Sequence, residues 1–165
     1  FANDGLVNYV LVNLGILDKP YNFLTQPFAA KIVIILALLW RWTGYNMVFF
    51  LSGLQNIEYS VYEAAKIDGA SAIQTFFKIT VPLLKPTILL TAIMSTNGTL
   101  QLFDESINLT DGGPANASIS MSHYIYNLCF KYVPNFGYAA AMSFFILLLV
   151  AVLAFIQMRV GDKRD

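Results

Sequence analysis

Three long apolar runs, parted by polar inserts, set the pattern of this chain. Residues 28–54 form the first, with apolar blocks at 32–39 and 47–54 around a polar and aromatic break, Trp40-Arg41-Trp42-Thr43-Gly44-Tyr45-Asn46. Residues 86–103 form the second, apolar in its first half and carrying Ser95, Thr96, Asn97, Thr99 and Gln101 in its second. Residues 137–158 form the third, interrupted only by Ser143 and Gln157. A bilayer span takes about 20 mostly apolar residues at a rise of about 1.5 Å each. The pattern therefore predicts an all-α integral membrane protein with three transmembrane helices.

The inserts carry their own punctuation. In residues 55–85, Ser60 with Glu63 and Ser71 with Gln74 have capping-box spacing, in which two side chains satisfy free backbone N–H groups at a helix start. These predict a helix over 61–68, a left-handed turn at Gly69, and a second helix over 72–80 stopped by Pro82. Residues 104–136 hold the turn signal Asp111-Gly112-Gly113-Pro114 and a helix over 121–132 with Ser118 or Ser120 as its cap. Near the N-terminus, residues 6–16 place Leu6, Val10, Asn13 and Leu14 near one helical face. That is too short to span, and it fits a helix lying on the bilayer surface.

Several polar groups fall inside the apolar runs. Leu38, Arg41, Trp42 and Tyr45 share a helical face. A charge near mid-span costs about 2.5–3.5 kcal/mol on insertion scales, so Arg41 needs a partner, a wet cavity or a route to the interface. Met94, Asn97, Gln101 and Asp104 share a face of the second run. Each set reads two ways: a path lined by aromatic and amide groups, or bonding between helices worth about 0.6 kcal/mol per hydrogen bond.

Composition agrees with the membrane reading. Hydrophobic residues make up 57% and charged residues 12% of the 165, against about 25% charged in soluble domains. A formal net charge of zero gives nucleic acid no electrostatic footprint. The single cysteine, Cys129, and the single histidine, His123, provide neither a disulfide nor a metal-ligand set. There is no GxxxxGK[ST], no HExxH and no glycine-rich dinucleotide fingerprint, so no catalytic residue, metal or bound cofactor is expected. The Asn-x-Ser/Thr triplets at Asn97, Asn108 and Asn116 carry no weight, since the first lies within a span.

Glu63-Ala64-Ala65, Asp68-Gly69-Ala70, Ile79 and Val81-Pro82 stand at the spacing of the EAA loop, and Pro82-Leu83-Leu84-Lys85-Pro86 follows directly. Phe103-Asp104, Gly112–Ala117 and Phe136–Ala141 continue the match in order, so that it covers most of residues 40–158. In these the chain resembles the permease subunits of bacterial binding-protein-dependent ABC importers, of the maltose and oligosaccharide type. Val81 stands where the family usually has Leu. The resemblance covers only the later part of such permeases, so the chain is expected to be the C-terminal portion of a longer one.

The resemblance implies a set of partners and roles. A cytoplasmic ABC ATPase dimer would use ATP and Mg and grip Glu63, Ala64, Ala65, Asp68, Gly69, Ile79 and Pro82. A second permease, a paralogue by family habit, would complete the path, and an extracellular solute-binding protein would deliver an oligosaccharide to it. Leu38, Arg41, Trp42, Tyr45, Met94, Asn97 and Gln101 would line that path. The loop and C-terminus would then be cytoplasmic in a multi-pass bacterial plasma-membrane protein. The basic residues agree: Lys66, Lys78, Lys85, Arg159, Lys163 and Arg164 fall inside, and Lys19, Lys31 and Lys131 outside. Two rivals remain from other classes: a secondary transporter coupling through Arg41, and a membrane enzyme using Asp104, Glu105 and His123 at the outer face.

Overall fold

The structure is a computed structural model that describes residues 4–161. It is helical, with no strand among the described residues. Helix α1 covers Leu6–Asn13, α2 Pro27–Gln55, α3 Tyr59–Ile67, α4 Ala72–Leu83, α5 Lys85–Leu100, α6 Met121–Tyr126 and α7 Phe136–Gly161. Helices α2 and α7 are long and apolar enough to cross a membrane. Their bounds fall within a few residues of the first and third apolar runs.

The second predicted span differs. Helix α5 has 16 residues, short of the about 20 a span takes. It reaches that length only with α4, from which it is bent by 64°. Pro82 does not stop α4, because it sits in a helical turn that follows a π-helical segment, Phe76–Thr80. The break falls instead at Leu84, ahead of Pro86. At the other end α5 stops at Leu100, so Gln101 and Asp104 do not continue the face of Met94 and Asn97.

Two compact units emerge, one built on residues up to Trp40 together with Thr99–Leu148, the other on Arg41–Gly98 together with residues from Leu149 on. In the second unit α5 runs antiparallel to α2: Trp42 meets Gly98, Asn46 bonds Ser95, and Gly53 meets Leu84 and Thr87. On α7, the Gln157 amide donates to Thr96 Oγ1 at 2.8 Å, and Gly161 packs on Leu89. Glycine and small hydroxyl residues at each crossing let the backbones approach, as helices in lipid require.

In the first unit α1 is held by its one buried residue, Asn8, whose side chain bonds both Tyr21 N–H and Tyr21 C=O. Leu6, Val10 and Leu14 face outward, the arrangement expected of a surface-lying helix. Lys163 and Arg164 lie outside the described residues.

Candidate functional site: the bent loop and the α2–α5 face

The loop from Tyr59 to Leu83 is held by short-range bonds. Helix α3 ends in a Schellman turn: Ala70 N–H donates to Ala65 C=O at 3.0 Å and Gly69 N–H to Lys66 C=O at 3.2 Å. The turn needs Gly69 at φ +73°, a left-handed conformation that glycine adopts without steric cost. Helix α4 begins with the predicted capping box: Gln74 N–H donates to Ser71 Oγ, and Ser71 N–H donates to Gln74 Oε1 at 2.9 Å. The two helices are joined by Thr80, whose hydroxyl lies 3.3 Å from that of Tyr62.

The cap expected at Ser60 is not formed. Helix α3 starts two residues earlier, with Glu58 as its N-cap, and Ser60 Oγ donates instead to Glu58 Oε2 at 3.3 Å. Glu63 is thereby left out of any capping box; it is exposed, as are Ala64, Asp68, Gly69 and Pro82. Ala65 is buried and Ile79 half-buried. Ile67, 86% exposed, and Ile73, 73% exposed, add an apolar surface that the sequence reading left out.

On α2, Trp42 is the centre of an aromatic cluster. Tyr45 stands edge-on to it at 5.5 Å, Phe49 follows at 5.1 Å from Tyr45, and the Arg41 guanidinium lies over the Trp42 ring at 5.5 Å. Cation–π attraction of this kind is worth about 0.5–1 kcal/mol at exposed sites, and it gives Arg41 a partner on its own helix. The indole Nε1 is sealed from solvent with no hydrogen-bond acceptor among the described residues.

The structure therefore brings Arg41, Trp42 and Tyr45 together. Met94 and Asn97 lie on α5 within the same unit, whereas Leu38 and Gln101 belong to the other unit. Sequence reasoning missed Gly98, against which the Trp42 ring lies, and the Asn46–Ser95 pair at 3.0 Å. The signal was present as a stripe of small residues, Thr87, Thr91, Ser95 and Gly98, at helical spacing.

The enzyme alternative finds no reacting geometry. His123 is fully buried rather than interfacial. Its Nδ1 lies 2.9 Å from Ser106 Oγ, which also donates to Ser118 C=O at 2.8 Å and accepts from Ser120 N–H. Its Nε2 is 3.7 Å from Asp111, and Asp111 is bonded by Lys131 at 2.7 Å. Burial pushes the His123 pKa below its ordinary value, with Asp111 opposing and Lys131 adding to the shift. The Lys131 bond holds the Asp111 carboxyl below the usual range. Ser106 is as deeply buried as His123, so no substrate reaches the pair, and it ties the loop together instead.

Residues 6–164 match the family described as binding-protein-dependent transport system inner membrane component. The chain belongs to that family. It is 54% identical to the lactose transport system permease protein LacF of Rhizobium radiobacter, over 99% of this chain and 56% of that protein. It is 37% identical to the trehalose/maltose transport system permease protein MalF of Thermococcus litoralis, over 97% of this chain and 53% of that one. Among solved structures, a bacterial ABC transporter involved in import of the acidic polysaccharide alginate superposes at a TM-score of 0.82 and 26% identity. That match covers 98% of this chain and 56% of the other. The chain thus spans about half the length of the relatives it matches. As a member of this inner-membrane family it is a transport component rather than an enzyme, and its long apolar helices are membrane-spanning.

Proposed function

We propose that this chain is part of a permease subunit of an ATP-driven oligosaccharide importer, and that residues 59–83 couple it to a cytoplasmic ATPase. The observation that carries the reading is the loop itself. A Schellman turn and a capping box fix two short helices at a glycine bend, and they leave Glu63, Ala64, Asp68 and Ile67 exposed to a partner. A rigid bent element with an outward apolar and acidic surface transmits force better than a flexible one. The alginate transporter has also been solved in complex with a saccharide-bound periplasmic protein, which supports a solute-binding protein as the delivering partner here.

In this mechanism a second, related permease completes the path. The binding protein delivers the sugar from outside, and ATP closes the ATPase dimer around the loops. Ligand and nucleotide together shift the population from an outward-open to an inward-open arrangement. Arg41, Trp42, Tyr45, Met94 and Asn97 supply this subunit's share of the path. Aromatic faces stack on the apolar side of a sugar ring, and amides bond its hydroxyls. The loop and the C-terminus are cytoplasmic. The 54% identity to a lactose permease makes lactose the first sugar to try.

The test is uptake in proteoliposomes holding the complete transporter, its ATPase and its binding protein. Gly69→Pro cannot adopt φ +73°, and Glu63→Ala removes the exposed carboxylate. Both should abolish ATP-dependent uptake while leaving the subunit in the membrane. Uptake at wild-type rates in both variants, or uptake driven by an ion gradient without ATP, would overturn the reading.

A further inference from the structure

The indole of Trp42 lies on the backbone of α5 at Gly98. A Cβ placed at position 98 would stand 2.6 Å from Cη2 of Trp42 and closer still to Cζ2. Both atoms belong to the six-membered part of the indole, so even alanine at 98 collides with the ring. The ring is not free to give way toward its own helix, because Tyr45 stands edge-on to it and Arg41 covers a face. Relief would have to come from turning the indole out of the α2–α5 crevice. That turn has to displace Arg41 and Tyr45, the side chains assigned above to the sugar path. Gly98 is itself flanked on α5 by Met94, one turn earlier, and by Asn97.

Trp42 fits this crevice at a cost. Its buried Nε1 meets no acceptor among the described residues, and leaving such a donor unpaired is unfavourable. The indole keeps this position because the missing side chain at 98 lets it pack against the helix. Position 98 thus controls how much of a bulky ring stands inside the crevice and how much stands in the path.

We propose that Gly98 is a positioning residue for Trp42, and that the Gly98–Trp42 pair limits the size of saccharide the path admits. The proposal rests on the permease reading. An indole is comparable in bulk to a hexose ring, so an indole turned into the path takes up about the room of one sugar unit. Longer saccharides should feel that loss before shorter ones do.

The experiment uses the complete reconstituted transporter and a labelled panel of lactose, maltose and trehalose as disaccharides and raffinose and maltotriose as trisaccharides. Gly98→Ala should lower the trisaccharide-to-disaccharide uptake ratio by about tenfold, the discrimination that a methylene of misfit gives in a closed pocket. Adding Trp42→Phe, which deletes the colliding half of the ring, should bring the ratio back toward wild type. Equal loss of both sugar classes, or an unchanged ratio, overturns the size-limiting role while uptake itself upholds the permease reading. If the wild type imports no sugar of the panel, the permease reading and the size limit fall together. The packing is judged separately by thermal unfolding. Gly98→Ala should cost less stability in a Trp42→Phe background than alone, and strictly additive costs would show that the two residues do not touch.

Discussion

Two polar stretches of similar length are held by opposite means. In residues 59–83 the fixing bonds mostly join residues three to five apart: the Schellman turn at Gly69, the Ser71–Gln74 box, and the turns that follow. In residues 104–131 bonds between near neighbours are joined by a set spanning 12 to 20 residues, centred on Ser106, which gathers Ser118 C=O, Ser120 N–H and His123, with Lys131 closing on Asp111 from outside. The first is a stiff lever whose outer surface is exposed. The second is a knot tied by buried polar groups, with one hydroxyl at its centre. A lever fixed locally keeps its shape when its neighbours move, whereas a knot holds together segments that local sequence would leave apart.

Substitution at Ser106 should break the contrast most sharply. Ser106→Ala leaves Ser118 C=O, Ser120 N–H and His123 Nδ1 short of a buried partner. At about 1–3 kcal/mol for a buried group left unpaired, the loss should exceed about 2 kcal/mol. Hydrogen exchange across residues 104–131 should then rise well before exchange elsewhere. Ser71→Ala removes one cap and should cost about 1 kcal/mol, with faster exchange confined to the start of α4. If Ser71→Ala opened its stretch as widely as Ser106→Ala opens the other, the distinction between lever and knot would fail.

The smallest expected effect is on pH, and it belongs to the knot alone. His123 is buried with its pKa depressed, so the unfolded stretch binds a proton more readily than the folded one. Stability is then full above the unfolded value of about 6.5 and declines as pH falls below it. Protection in residues 104–131, taken relative to the intrinsic exchange rate at each pH, should fall as the medium is taken from pH 7.5 to 5.5, with no matching change in residues 59–83. His123→Asn, which keeps a donor for Ser106 but does not titrate, should flatten that dependence. A slope that survives the substitution would put the titrating group elsewhere.

The same contrast explains which parts of the fold could be read in advance. Ser71, Gln74 and Gly69 act on neighbours a few residues away, so their spacing alone announces the structure. The long apolar runs of α2 and α7 announce themselves in the same manner. Ser60 misled because Glu58, two residues before it, competes for its hydroxyl and takes the cap position. The second span was drawn too long because the polar residues after Leu100 extend a helical pattern that the backbone does not follow. His123 looked interfacial because the serine that buries it lies 17 residues away.

By itself, the sequence determined which runs are apolar enough to span a membrane, where the loop bends, and which family it resembles. These depend on apolar run length, on capping spacing and on a glycine conformation, all of which are local. The tertiary structure alone decided that α5 crosses α2 with Gly98 under Trp42, that α4 and α5 meet at a 64° bend, and that Ser106 gathers its loop. Each of those depends on which distant groups come within van der Waals or hydrogen-bond reach. A residue type does not specify its distant neighbour; the fold does, by bringing the two surfaces together.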